Sequence, residues 1–175
     1  DRRLKTIDFI ESDCDGCFKI YGIDLTGKAG YPEKSKTLPE EIRHMEYDMS
    51  GPLPEASFEI GMTRINLHLL GYRRGMDNGK AMLYNIRFFP SGEDEYDAVI
   101  DENTGTATFE FEQYGTGKSL IRVAGQRIFF INAPGTMDIY IDLQEAGRQS
   151  SRYHKTEKAE PVIFFTGTNA AINHA

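Results

Sequence analysis

The chain has 175 residues, 39% of them hydrophobic, enough for one packed domain or for one domain and part of a second. A formal charge of −7 argues against a surface built for nucleic acid or anionic lipid, because phosphate binding needs clustered Lys and Arg. No apolar run approaches the roughly 18 residues of a membrane-spanning helix.

Eleven Phe, nine Tyr and 17 Gly with no Trp suit short strands joined by tight turns. The sequence opens at Asp1 with no charged-then-apolar leader behind it. The expectation is therefore of a targeting segment already removed or lying outside this sequence, and the compartment is not read from the residues.

Residues 1–25 read as a β-hairpin. Ile7 and Phe9 alternate with polar neighbours, Asp15-Gly16 supplies the turn, and Phe18 and Ile20 resume the alternation. Two strands bury too little to stand alone, so this piece either docks on the rest or is the remnant of a preceding sandwich. Residues 26–57 turn to Gly, Pro, Lys and Glu and read as a linker. A short helix is expected within it. Thr37 and Glu40 form a capping-box pattern, Pro39 fits the first turn, and Leu38, Ile42, Met45 and Met49 recur at helical spacing.

From residue 58 to 167 the period is two. Phe58, Ile60 and Met62 share one face, whereas Ile65, Leu67 and Leu69 share the other, which predicts a bulge near Thr63-Arg64. Met82, Tyr84, Ile86 and Phe88 predict the next apolar face, followed by 98–100, then Ala107, Phe109 and Phe111. Turns are expected at Pro90-Ser91-Gly92-Glu93 and at residues 101–105. Ile121 with Val123, then 128–131, then Met137, Ile139, Ile141 and Leu143, and finally 162–165 bring the total to about eight short strands, the spacing of a sandwich or barrel. Thr168 reads as the N-cap of a helix over 168–175, and a helix starting there predicts a further domain beyond it. The fold expected is all-β: an antiparallel β-sandwich, immunoglobulin-like or jelly-roll-like, with an N-terminal hairpin and a short C-terminal helix.

Cys14-Asp15-Gly16-Cys17 is the pattern that names a chemistry, since a C-x-x-C pair is redox-active in some folds and half a zinc site in others. A redox pair draws its low thiol pKa from a helix N-terminus, whereas this one straddles a hairpin turn. Zinc wants four ligands, and His44, His68, His154 and His174 show no paired spacing. The pair reads as structural, a local disulfide or two quiet thiols, with no metal or other cofactor expected.

Gly115-Thr116-Gly117-Lys118-Ser119 imitates the end of a phosphate-binding loop. Glu112 stands where that loop needs Gly, and a strand pattern follows, so a hairpin turn is expected instead. Glu110 and Glu112 share a face that reads as solvated rather than as a glycosidase acid pair. Asp101-x-Asn103 lacks the later ligands of a calcium loop. Tyr72, Tyr84 and Tyr114, near predicted turns, are the candidate ligand-facing aromatics.

Ile7-Asp8-Phe9-Ile10-Glu11, Phe18-Lys19-Ile20-Tyr21-Gly22-Ile23 and Leu70-Gly71-Tyr72 with Gly75-Met76 resemble the N-terminal, non-thioredoxin region of TlpA-like thiol-disulfide reductases of Gram-negative envelopes. Ala133-Pro134-Gly135, Ile139-Tyr140-Ile141-Asp142-Leu143 and Phe164-Phe165-Thr166-Gly167 running into Asn169-Ala170-Ala171-Ile172-Asn173 resemble the same region just before its linker helix. The resemblance implies a periplasmic or outer-envelope protein, secreted or lipid-anchored, whose catalysis belongs to a W-C-x-x-C motif in a later thioredoxin fold. This chain has no Trp, and Cys14 and Cys17 do not match that motif, so no redox role carries over.

The function expected is a non-catalytic accessory sandwich that positions a tethered thioredoxin-like domain or binds a protein partner. The alternatives are a carbohydrate- or peptide-binding sandwich and a redox module using Cys14 and Cys17.

Overall fold

The computed structural model describes residues 6–7, 23–24, 38–47, 58–73, 75–88, 91–150 and 161–174. The chain divides into two compact units, Asp1–Ser35 and Lys36–Ala175. In the first, β1 (Thr6–Ile7) and β2 (Ile23–Asp24) pair antiparallel, Thr6 opposite Asp24 and Ile7 opposite Ile23. The expected turn at Asp15-Gly16, with Cys14 and Cys17, lies outside the described residues.

The second unit runs α1 (Glu40–Arg43), β3 (Ile60–Leu70), β4 (Lys80–Phe88), β5 (Ser91–Val99), β6 (Thr106–Tyr114), β7 (Gly117–Val123), β8 (Gln126–Asn132), β9 (Gly135–Asp142), α2 (Leu143–Ser150), β10 (Ile163–Gly167) and α3 (Ala170–Asn173). Its strands form two four-stranded sheets, β10-β9-β3-β6 and β5-β4-β7-β8. The fold is the all-β sandwich that period-two alternation predicts. One pairing departs from the antiparallel rule: β3 and β9 are parallel, from Thr63 opposite Gly135 to Leu70 opposite Asp142. Parallel neighbours need a long connection between them, and here it comprises β6 and the whole second sheet.

Aromatic contacts fix how the sheets stack. Tyr96 of β5 stacks on Phe111 of β6 with ring centroids 4.8 Å apart, and Phe130 of β8 meets Phe165 of β10 at 6.4 Å. Strand β5 therefore lies over β6, and β8 over β10. Between the sheets Ile65, Leu67, Ile139 and Ile141 meet Leu83 and Ile121, all fully buried. Each such side chain contributes roughly 1.5–3 kcal/mol by leaving water.

Several local expectations change. Strands β3 and β6 keep one register from Ile60 opposite Tyr114 to His68 opposite Thr106, so there is no bulge at Thr63-Arg64. The parity switch has another cause: Phe58, Ile60 and Met62 face outward and are exposed, while Thr63 of the opposite parity is buried. In β4 the buried face is Ala81, Leu83 and Asn85, with Met82, Tyr84 and Ile86 half-buried on the outside. The residues Ser91-Gly92-Glu93, expected in a turn, belong to β5, an edge strand that carries Glu93, Glu95 and Asp97 on its outward face.

Gly115-Thr116 is not a hairpin turn. It carries the chain from β6 in one sheet to β7 in the other, with Gly115 at φ +85° and its N–H bonded to the Glu59 carbonyl at 3.0 Å. The positive φ is cheap only for Gly. A true hairpin joins β7 and β8 through Ala124-Gly125, both at positive φ as the strand twist requires.

Part of the stretch read as linker packs on the sandwich. Leu38 and Ile42 bury against Leu70 and Phe164 on the outer face of the first sheet, with Tyr140 beside them. Helix α1 begins after Pro39, which occupies the cap position itself and makes no side-chain cap bond; Thr37 lies outside the described residues. Helix α2 was unexpected. It starts where the Asp142 carboxylate accepts the Glu145 N–H at 2.9 Å, a side-chain cap that ends β9 and turns Leu143 into a helical residue. The cap residue of α3 is Asn169 rather than Thr168, whose N–H instead bonds the Thr136 carbonyl at 2.9 Å.

The C-terminal segment seals two open sheet edges. Asn173 accepts from the Ile131 N–H at 2.7 Å and donates to its carbonyl at 2.9 Å, so one side-chain amide imitates a paired strand residue on β8. On β10, His174 Nε2 accepts the Phe165 N–H at 2.8 Å and the Tyr47 hydroxyl donates to the Phe165 carbonyl. Capping edges in this way blocks strand addition there.

Candidate functional site

The sandwich interior is apolar at one end and polar at the other. At the polar end five side chains, Thr63, Gln113, Asn132, Ser119 and Asn85, are all buried, and the strand alternation aims every one of them inward. They form one relay. The Thr63 hydroxyl lies 3.0 Å from Gln113 Oε1 and 3.3 Å from the Ala133 carbonyl. Gln113 Nε2 donates to Asn132 Oδ1 at 2.9 Å, Asn132 Nδ2 to Ser119 Oγ at 3.0 Å, and the Ser119 hydroxyl to Asn85 Oδ1 at 2.9 Å. The relay crosses from the first sheet (β3, β6) to the second (β8, β7, β4). Connected in this way, buried polar groups offset their desolvation and fix the register of the two sheets.

The relay ends against a cavity of about 250 Å³. Asn85 and Gln113 form its buried lining, Arg87 and Glu112 its sides, and Phe58 and Tyr114 its exposed rim. Arg87 Nε lies 2.7 Å from Asp94 Oδ2, close enough for an ion pair, although the N–H is not aligned into a hydrogen bond. The interaction is thus mainly Coulombic. Burial raises the pKa of neighbouring Tyr96, and Asp94 adds to the rise while Arg87 opposes it.

Outside the mouth the outer face of β3 and β6 continues as an apolar patch. Phe58 is 91% exposed, Ile60 63%, Met62 62% and Tyr114 59%. Ile60 and Tyr114 are direct cross-strand partners, so the patch is contiguous rather than scattered. The arrangement can bind an apolar or aromatic group and offer it amide hydrogen bonds.

Of the three candidate aromatics, only Tyr114 is at this site. Tyr72 is 6% exposed, and its hydroxyl donates to Asp77 Oδ1 at 2.7 Å. Burial first, then Asp77, pushes its pKa far up. The same carboxylate accepts the N–H groups of Gly79 and Ala124, so Asp77 ties the β3–β4 connection to the β7–β8 turn and Tyr72, bonded to it, is spent on that tie. Tyr84 stands on the outer face of the second sheet under the Arg122 guanidinium, 4.9 Å from its ring. A tyrosine near a turn is placed by strand parity, which proximity in sequence does not reveal. Cys14 and Cys17 lie outside the described residues.

The acidic residues follow the solvated reading. Glu110 pairs across the strands with Arg64 at 3.2 Å, and Glu112 stands opposite Met62 on the outer face. Asp101 accepts the Asn103 N–H at 2.8 Å in a tight turn, and that bond lowers its pKa. Among the described residues no three His, Cys, Asp or Glu side chains gather as metal ligands would. The three described histidines are dispersed, and His154 lies outside the described residues. His44 pairs with Glu40 at 3.1 Å, His68 bonds Asp138 at 3.0 Å and stacks on Tyr140, and His174 stacks on Tyr47.

Sequence reasoning missed the relay and Arg87. The available signal was polar residues at inward parity: Asn85 after Leu83, Gln113 after Phe111, and Asn132 after Phe130. Comparison with protein-family models, with curated proteins and with solved structures finds no match for the chain.

Proposed function

We propose that the chain is a non-catalytic accessory sandwich that binds a protein partner, such as a tethered thioredoxin-like domain, at its polar end. The single observation that carries this reading is the contiguous patch of Phe58, Ile60, Met62 and Tyr114 beside an open pocket. Exposed apolar patches rimmed by polar groups mark docking sites, because covering them releases the hydration cost of the apolar surface. A cell-envelope setting, periplasmic or outer-envelope, comes from the resemblance to the non-thioredoxin region of TlpA-like reductases and from nothing in the fold.

The test joins the chain to a TlpA-type thioredoxin-like domain and compares amide NMR shifts with those of the chain alone. Shifts concentrated on residues 58–62 and 112–117, abolished by Ile60→Asp, are the expected result. An unchanged spectrum over those residues sinks the reading.

A second reading is favoured by the pocket itself. Tyr114 offers an aromatic face, and the amides of Asn85 and Gln113 offer hydrogen bonds, the combination that recognises a sugar ring. Glycan-array binding lost on Tyr114→Ala supports carbohydrate binding; an array blank for the unaltered chain eliminates it.

A further inference from the structure

The buried relay has a direction. The Thr63 hydroxyl donates to Gln113 Oε1, Gln113 Nε2 to Asn132 Oδ1, Asn132 Nδ2 to Ser119 Oγ, and the Ser119 hydroxyl to Asn85 Oδ1. Ser119 has one proton and gives it to Asn85, which fixes the accepting atom there as Oδ1 and leaves Nδ2 as the last donor of the series. Among the described residues nothing accepts from that Nδ2, although Asn85 is only 4% exposed. The fully buried side-chain nitrogen without a hydrogen bond among the described residues is Arg87 Nε, so Asn85 Nδ2 borders open space, and the space that Asn85 lines is the cavity of about 250 Å³. A donor so placed costs free energy until an acceptor meets it.

The rest of the floor also gives rather than takes. Gln113 Nε2 spends one proton on Asn132 Oδ1, and its other reaches the Asn132 carbonyl only at 3.4 Å. Gly117 keeps this floor open, since a Cβ there would stand 3.0 Å from Gln113 Nε2. The charged side chains of the lining, Arg87 and Glu112, cancel, and Asp94 already answers the guanidinium from 2.7 Å. A carboxylate therefore gains little there over a neutral oxygen. A sugar hydroxyl needs an acceptor for its own proton beside each donor, which a floor of amide N–H groups does not provide. A carbonyl oxygen has two lone pairs and no proton, and it fits.

We propose that the pocket takes one amide carbonyl of a peptide: its oxygen accepts from Asn85 Nδ2, its amide N–H turns to Glu112, and its apolar flank lies on Phe58 and Tyr114 at the rim. This rests on the partner-binding reading above and names the group by which the partner is held. A cavity of about 250 Å³ admits a single residue rather than a longer segment. The relay strengthens the contact, because each hydrogen bond in a series polarises the next and Asn85 stands at the end. A ligand without the carbonyl leaves that donor unpaired, so the floor discriminates against it.

Titration of the isotope-labelled full chain with N-acetylphenylalaninamide, followed through the side-chain NH2 signals in NMR, is the test. The Asn85 NH2 pair is expected to shift downfield and saturate, with the backbone signals of Phe58 and Tyr114 moving in step. Asn85→Asp keeps an acceptor for Ser119 and removes the donor, and it should weaken binding about tenfold, the weight of one hydrogen bond. Phenylacetate and N-acetylglucosamine should bind more weakly than the peptide amide. An Asn85 signal unmoved up to the solubility limit of the peptide amide overturns the inference, and this readout needs no variant to fold. So does tighter binding of phenylacetate or of N-acetylglucosamine, or an Asn85→Asp chain that binds as the unaltered one does. In the chain joined to a thioredoxin-like domain, shifts over residues 58–62 with the Asn85 NH2 pair unmoved sink this inference and leave partner docking standing, whereas no shift at either place sinks both.

Discussion

Strand β3 passes through both ends of the sandwich and is built in opposite senses at the two. At its C-terminal end Leu67 and Leu69 face inward, and Leu70, facing outward, is roofed by Leu38 and Ile42 of the α1 segment. At its N-terminal end the inward residue is Thr63, part of a buried polar relay, while Ile60 and Met62 face outward uncovered by any described element. A strand shaped for stability alone would exchange those roles, because each choice there places the wrong polarity on the wrong side. Apolar packing thus holds the sheets together at one end and a hydrogen-bonded relay joins them at the other, beneath an exposed apolar patch.

Mutations at the two ends measure the difference. The largest loss is expected in the apolar interior, where Ile139→Ala should destabilise by about 3–4 kcal/mol through lost burial and a cavity; a urea midpoint shift with unchanged m-value is the readout. At the polar end Asn132→Ala removes the middle of the relay and leaves Gln113 and Ser119 short of partners, for about 2 kcal/mol. If Asn132→Ala proves as mild as a surface change, the relay does not hold the sheets in register.

The sealed edge responds to pH. Burial lowers the pKa of His174 from 6.5, and its neutral Nε2 accepts the Phe165 N–H. In the window between the lowered folded value and 6.5, the unfolded chain binds more protons. The contribution is therefore complete above pH 6.5 and is lost as pH falls through the folded value. Denaturation at pH 7.5 and 5 should show a drop smaller than that of Asn132→Ala, and His174→Gln should flatten it. Smallest of all, Ile60→Ser should change stability by under about 0.5 kcal/mol, since its side chain is exposed. A larger loss would mean that the patch is packed in solution.

How much was legible varies from element to element. Strands β6 and β7 alternate cleanly and were read with the correct inward faces. Strand β4 was read inside out because it is apolar on both faces, and periodicity cannot choose between Leu83 and Tyr84 when both parities qualify. The start of β5, Ser91-Gly92-Glu93, reads as a turn and only its end as a strand, because an edge strand with Glu93, Glu95 and Asp97 outside and Asp94 inside carries almost no apolar period. The start of α2 had a signal, Asp142 three residues before Glu145, overlooked because Leu143 also extends the alternation of β9. Of the candidate aromatics only Tyr114 lines the pocket.

By itself, the sequence determined the all-β class, the position of most strands and the solvated face of Glu110 and Glu112 on β6, because these depend on residue type at a spacing of two. Which strands become neighbours was decided by tertiary structure, and with it everything that spans them. The relay gathers Thr63, Asn85, Gln113, Ser119 and Asn132 from five strands, and the parallel pairing of β3 with β9 closes over some seventy residues of chain. Local propensity acts over a few residues; a buried hydrogen bond between sheets exists only after both have formed and been pressed together.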